Sequence, residues 1–454
     1  MKPIGLKLLV ASSLLLSGIA HASTRPQYGG TVRVVMRMAP NSLDPLDATQ
    51  VDSAARRNLT QLLFDTLVVL DDFGREKPSL ATSWQAEPGN QKWRFWIRRG
   101  VKFDDGSPLT PALVAAALRS ANPSWTVYAG DDSITIALPS PDPALAANLA
   151  QARNAIVRRT PERVRGTGPF QVSDWQPGKK LVVVANEEYW AGRPYVDAVQ
   201  IDFGVNYRDQ LVALDLNKAD VIEIAPEQAK RAAMEGHRIA ASAPIDLMAI
   251  VFTRNRQSAE DGKLRRALAL SIDRNSIRRV LLQGTGEPAG GILPNWMTGY
   301  EFVFPAESSM EKAREQRIEV AQAPVWTMGF NAADTLTRLV AERVALNARD
   351  AGIPMQTSAM NVDLRVVQVP TASLNPQTAL AGICSVLGLA LPALADGSVA
   401  DSFRAESTLL ESQRIIPLFH LPVTYGLNSR LKNWEMRRDG TWALANTWIS
   451  TEKP

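Results

Sequence analysis

Gly100-Val101-Lys102-Phe103-Asp104-Asp105-Gly106-Ser107-Pro108-Leu109-Thr110 lies between a predicted strand, Lys92 to Ile97, and a predicted helix that runs through Arg119. Gly100 separates the strand from Val101. Thr110-Pro111 opens the helix: a threonine side chain caps free amides, and proline suits the first turn. Upstream, Thr31 to Met38 alternates as a strand, and Asn41 to Pro45 forms a turn. Ala54 to Leu70 has helical spacing at Leu59, Leu62, Leu63 and Leu67. Asp71-Asp72-Phe73-Gly74 turns the chain back into a strand at Ser83 to Ala86. Downstream, Trp125 to Leu138 reads as a hairpin around Gly130-Asp131-Asp132. Gly166 to Phe170 turns into a strand, Leu181 to Val184 is a buried strand, and Asp220 to Ile224 follows a helix at Arg208 to Leu216.

Beyond Ala243 helix and strand keep alternating. Asp261 to Leu270 and Arg274 to Leu282 read as helices, with Asp273 capping the second and Gly284 ending it. Thr335 to Ala351 is amphipathic, with Leu336, Leu339 and Val340 on one face; Gly352 stops it before a strand at Ile353. Ser402 to Ser412 is a helix and Ile415 to Phe419 a strand. This is mixed α/β order without repeats or a low-complexity linker, so two lobes must be joined by crossing strands.

The chain has 454 residues, 45% of them hydrophobic, too many for one ordinary domain. Its formal net charge is +4, a small balance that gives no reason to expect nucleic acid, and the cationic pairs Arg98-Arg99 and Arg437-Arg438 read as solvated surface. Lys2 and Lys7 precede an apolar run, Leu8 to Ala20, that is short for a bilayer span. Ala20-His21-Ala22 presents small residues as a cleavable leader does, so residues 1–22 are expected to be a signal peptide and Ser23 the mature start. No cysteine follows the run to take a lipid. The expected compartment is therefore the periplasm. Cys384, the sole cysteine, forms no internal disulfide and sits in an apolar run that suggests a buried, inert thiol.

After the leader the histidines are His237 and His420, and no HExxH, paired-cysteine, GxSxG or GxxxxGK[ST] motif occurs. Gly166-Thr167-Gly168 lacks the third glycine of a dinucleotide fingerprint. No catalytic residue, cofactor or metal site is expected. Eleven tryptophans, Trp84, Trp93, Trp96, Trp175, Trp190 and Trp434 among them, could line a pocket, although a single tryptophan more often fills the core.

An ordered series of motifs resembles the family 5 extracellular solute-binding proteins, which serve peptide and nickel ABC transporters. Gly29 to Val34 opens it. Leu43-Asp44-Pro45 resembles the family's Leu-Asp-Pro turn, and Leu63 to Leu67 its Tyr-Glu-Gly-Leu helix end. Pro78 to Trp84 is similar to Pro-x-Leu-Ala-x-Ser-Trp, and Gly100 to Thr110 to the family signature. Gly166 to Phe170, Asn186 to Trp190, Gly192 to Tyr195, Lys263 to Leu268, Ser271 to Arg274 and Ile416 to His420 continue it.

The resemblance implies an α/β fold, periplasmic binding protein-like type II, with mixed sheets and two lobes joined by a hinge. Lobe I would take residues 23–243, with a trimmed subdomain at about 46–160, and residues 415–454 on the chain's return. Lobe II would take 244–414. The implied function is capture of a small organic or peptide-like solute by a monomer, for delivery to an ABC transporter permease. A periplasmic sensor or chaperone on the same fold, or an exported hydrolase, is the alternative. The resemblance brings Asn41, Ser42, Ala372, Ser373, Asn375, Phe419 and His420 to the cleft as candidate ligand contacts. Peptide-binding relatives carry Gly-Trp-x-Ala-Asp-Tyr-x-Asp-Pro, whose first aspartate holds the peptide amine. With Pro376 as the motif's proline, Val369 replaces the tryptophan and Ala372 that aspartate. A buried ammonium would lack its partner there, which makes a neutral or anionic group the more natural guest.

Overall fold

The computed structural model describes residues 25–47, 49, 52–161, 163–253, 259–371, 373–394 and 397–450. The expected leader and its cleavage point, and Ala372, lie outside them.

Two large sheets each carry a core on both faces. The first has seven strands, in the order Phe170–Gln176, Lys180–Ala185, Ala198–Asp202, Thr31–Val35, Val221–Ile224, Thr424–Leu427 and Arg238–Ala241. Its centre is parallel, where Thr31–Val35 pairs with both neighbours, and its edges are antiparallel. The second has six, in the order Glu287–Pro288, Ile415–Leu421, Asp246–Phe252, Leu364–Val369, Trp326–Gly329 and Met355–Ser358. Alternation puts Leu247, Ala249 and Val251 into one core with Leu380, Ile383 and Cys384. Met248, Ile250 and Phe252 enter the other, with Val340 and Val344. A strand covered on both faces needs a continuous apolar run, and Asp246–Phe252 supplies one.

The subdomain is a four-stranded antiparallel sheet, in the order Ala81–Ala86, Lys92–Ile97, Ser133–Ala137 and Thr126–Ala129, with its own core of Phe95, Ile134, Ile136, Val114 and Leu118. The Pro111–Ala121 helix covers it, and Thr110 Oγ1 accepts from the Leu113 amide at 3.3 Å, the expected cap.

Three expectations need correction. The helix that opens at Ala54 stops at Leu63, and Val68–Leu70 is a strand paired with Glu76–Pro78. The Gly166-to-Phe170 turn causes this: the Gly168 amide donates to the Leu63 carbonyl at 3.0 Å. A Cβ on Gly166 would lie 1.9 Å from that carbonyl oxygen, so only glycine permits the approach. Leu339 faces solvent, while Leu336, Val340 and Val344 form the buried stripe, an i, i+4 series. Finally, Ile415–Leu421 belongs to the lobe II sheet, between Asp246–Phe252 and Glu287–Pro288. Every residue of that run is buried, which suits an inner strand of this sheet. The chain returns to lobe I at Pro422-Val423 and not at Ile415.

The outward crossing, Ser242 to Ile245, lies beside this return. The Ser242 amide donates to the Val423 carbonyl, and the Ile245 amide to the Leu421 carbonyl, both at 2.9 Å. The Val423 amide donates to Ser242 Oγ at 2.9 Å. The lobes are thus joined by a two-stranded hydrogen-bonded ribbon. Among the described residues no helix is long and apolar enough to cross a membrane.

Candidate functional site

A cavity of about 280 Å³ lies where lobe I, the subdomain and lobe II meet. One wall is the end of the Ala54–Leu63 helix with Asp65, and a second is Tyr189-Trp190. A third is the hairpin Glu435–Met436 and Trp442–Ala443, with Arg437 and Asp439 in its turn. Ser373 and Leu374 close it from lobe II.

Asp65 is the convergence point of motifs far apart in the chain. It accepts from Thr167 Oγ1 at 2.8 Å, Tyr189 Oη at 3.0 Å and Trp190 Nε1 at 3.0 Å. Gly166 and Gly168 let the Thr167 turn press on the helix end, which brings the hydroxyl within reach. Burial raises the Asp65 pKa even though the three donors favour its charged form. Among the described residues no cation pairs with it. The Arg98 guanidinium lies 4.5 Å from the Trp190 ring centroid and donates from Nε to the Ser79 carbonyl, which holds the indole in place.

At the hinge end, Arg57 Nη1 meets Asp439 Oδ2 at 2.5 Å, and Nη2 donates to the Thr371 carbonyl at 3.0 Å. Thr371 in turn donates from Oγ1 to the Ile245 carbonyl at 2.7 Å, and from its amide to Asp246 Oδ1 at 3.3 Å. Burial alone would raise the Asp439 pKa, but Arg57 and Thr441 hold it below the usual carboxylate range. Asp246, buried and more weakly compensated, is pushed up to about 6. One guanidinium thus faces several carboxylates at the join between lobes.

Of the seven residues expected at the cleft, Ser373 is on the cavity wall, where Oγ accepts from the Asn375 amide at 3.1 Å. Asn375 caps the Pro376–Leu387 helix, accepting from the Gln377 and Thr378 amides at 3.1 Å. Asn41 is exposed beside the Gly178 turn. Ser42 Oγ accepts from the Asp44 amide at 3.0 Å, in a crevice shared with Arg56 and Thr60. Phe419 is fully buried in the lobe II core. His420 is buried, and desolvation lowers its pKa to about 4. The neutral ring faces the Ile292 carbonyl at 3.1 Å, so Nε2 carries the proton and donates. Ala372 is not among the described residues; its neighbours Thr371 and Ser373 belong to the hinge and the cavity.

Of the residues that line the cavity with charge, Arg57, Asp65 and Asp439 were not singled out by sequence, while Arg437 and Arg438, expected on the solvated surface, are half-buried, Arg437 on the cavity wall and Arg438 over the Trp296 ring. Asp65, Thr167, Tyr189 and Trp190 all fall in the motifs quoted above, but their spacing says nothing of their meeting at one carboxylate. Among the described residues no group of three or more His, Cys, Asp or Glu side chains is placed to hold a metal ion.

The profile of the bacterial extracellular solute-binding proteins, family 5 (middle), matches residues 76–372. An uncharacterized protein of Bacillus subtilis, YhjP, is 33% identical over 181 residues, which is 37% of this chain and 31% of that protein. The chain thus matches less than a third of that relative's length. A probable di/tripeptide-binding protein of Pseudomonas aeruginosa is 25% identical over 372 residues, 70% of each chain. Among solved structures, the periplasmic binding protein DppA of Helicobacter pylori, in complex with the peptide STSA, superposes with a TM-score of 0.76. The match covers 93% of this chain and 99% of that one, at 16% identity, and so speaks for the fold alone. The mixed α/β architecture of two lobes is that of the periplasmic binding proteins. With the family profile covering more than half of its length, the chain belongs to the bacterial extracellular solute-binding proteins of family 5.

Proposed function

We propose that the protein captures a small organic solute, peptide-like in character, in the cavity between its lobes and presents it to an ABC transporter permease at the inner membrane. The observation that carries this reading is the cavity's position: its wall is shared by both lobes, beside the ribbon that joins them. Such a site is completed only when the lobes come together, so a solute held there favours the closed form. The similarity to a probable di/tripeptide-binding protein supports the solute class. On this reading the protein is exported, acts without catalysis, and loses its leader after Ala22.

Native mass spectrometry of the protein taken from its own exported compartment tests the proposal. The expected result is a chain beginning at Ser23, carrying a solute-sized adduct that is released on denaturation. A protein that carries no adduct, and takes none from a periplasmic extract, contradicts solute capture. Retention of Met1 contradicts the leader.

A further inference from the structure

Lobe II meets the subdomain away from the hinge, at the start of the Pro376–Leu387 helix. Thr378, buried in the first turn of that helix, donates from Oγ1 to Asn148 Oδ1 at 2.8 Å. Leu145 and Leu149 root the Asn148 segment in the subdomain core. Pro143 lies against Gly397 of lobe II, where a Cβ would stand 2.9 Å from the proline Cγ. Gln377 Nε2 is 3.3 Å from that position, buried, and finds no acceptor. Asn148 is held from behind. Its Nδ2 donates to Asp142 Oδ2 at 2.7 Å, which leaves Oδ1 as the acceptor that meets Thr378. The Asn148 carbonyl accepts from Asn154 Nδ2 at 2.6 Å, and Asn154 Oδ1 accepts from Asn122 Nδ2 at 2.9 Å. Asn122 ends the Pro111–Ala121 helix, and both it and Asn154 are buried. A chain of bonded amides therefore runs from the subdomain core to its edge and ends on a lobe II hydroxyl. Asn148 Oδ1 also accepts from Gln151 Nε2 at 3.5 Å, and Gln151 is on the cavity wall.

We infer that the trimmed subdomain is a poised latch on lobe II: the Asn148–Thr378 bond draws the seam shut, and the stripped amide of Gln377 pulls it open. Rotation of lobe II about the ribbon parts Thr378 from Asn148, while the ribbon's own hydrogen bonds lie at the axis and persist. On opening, Thr378 and Asn148 exchange each other for water, so the bond is a bias and not a lock. Gln377 Nε2 gains water on opening and loses it on closing without an acceptor in return, which costs free energy in the closed form. The two effects are of similar size and opposite sign, so both positions of lobe II stay populated. Because Gln151 stands between the cavity and Asn148, the latch is within one side chain of whatever the cavity holds. The latch acts with no solute present and so goes beyond solute capture.

The test is a distance across the seam in the full protein, stripped of solute by unfolding and refolding. Spin labels are placed at Tyr128→Cys in the subdomain and Val386→Cys in lobe II, both exposed; Cys384 is buried and takes no label. Pulsed dipolar spectroscopy should show a short and a long distance. Thr378→Val should lower the short-to-long ratio about two- to tenfold, the scale of one neutral hydrogen bond. Thr378→Ser, which keeps the hydroxyl, should hold the wild-type ratio, and Gln377→Met should raise it. Asn148→Ala should act as T378V does, and the two together no further, because they remove the same bond. A stripped wild type with one distance alone overturns the latch. So does a T378V protein with the wild-type ratio, a T378S protein that behaves as T378V, a Q377M protein whose ratio does not rise, or additive effects in the double variant. No readout here uses a solute, so these failures leave solute capture standing, and a protein that carries no solute in its own compartment leaves the latch standing.

Discussion

Asp65 and Asp246 are both carboxylates taken out of water, but they are compensated differently. Asp65 sits among three neutral donors on the cavity wall. Asp246 sits at the end of the outward crossing, accepts from the Thr371 amide, and shares the Arg57 field with Asp439. Its raised pKa, about 6 against an ordinary 3.8, has a definite sign for stability. The folded state holds the proton more tightly than the unfolded chain, so between about pH 4 and pH 6 folding takes up a proton. Stability from this group is therefore greatest below that window, declines as pH rises through it, and is lowest above it. Asp246→Asn should remove this component, so the difference in melting temperature between variant and wild type should grow in the variant's favour from pH 4 to pH 6.5. Parallel profiles would show that Asp246 does not titrate there. Of these residues, sequence reading could find the ones whose signal is local: Thr110 and Asp273 as caps, and Gly284 and Gly352 as stops, both at positive φ. It could not find Asp65, whose partners lie more than a hundred residues away, and it reads Arg437 as solvated surface because only the folded hairpin turn puts that side chain on a cavity wall.

At the scale of elements, Arg57 joins three of them: its own helix, the hairpin turn through Asp439, and the hinge through the Thr371 carbonyl. Arg438, the next turn residue, stands 4.3 Å from the ring centroid of Trp296 in lobe II, whose Nε1 donates to the Pro244 carbonyl in the crossing at 2.8 Å. The hairpin is therefore the element of lobe I that braces the hinge. Replacing Arg57 by methionine keeps the bulk but leaves Asp439 buried without its partner. Loss of about 3–5 kcal/mol is expected, the usual cost of breaking a buried pair. Chemical denaturation measures it, and R57M combined with Asp439→Asn should recover part of the loss. If R57M unfolds like wild type, the ion pair is not what braces the hinge. The same scale explains where element reading from sequence succeeded and failed. The Trp125-to-Leu138 hairpin and the helix after Pro111 follow from turn and cap chemistry within a few residues. The early end of the Ala54–Leu63 helix follows from a glycine turn about a hundred residues later, which takes the Leu63 carbonyl for itself. The Ile415–Leu421 strand reads equally well as an inner strand of either large sheet, and only the pairing with Asp246–Phe252 settles its lobe.

The whole molecule is two sheet-centred lobes with a hydrogen-bonded ribbon between them and a charged cavity at their join. The lobes already touch beyond the hinge: Thr378 Oγ1 in lobe II donates to Asn148 Oδ1 beside the subdomain at 2.8 Å. The Leu374 carbonyl oxygen would lie 2.5 Å from a Cβ on Gly74. A solute that bridges the walls adds to these contacts only in the closed form, so binding must shift the population toward closure. Small-angle scattering on the full protein, stripped of its solute and then reloaded with it, tests this most directly. The account predicts a smaller radius of gyration in the loaded protein; an unchanged radius, with the solute shown by native mass spectrometry to be bound, would contradict it.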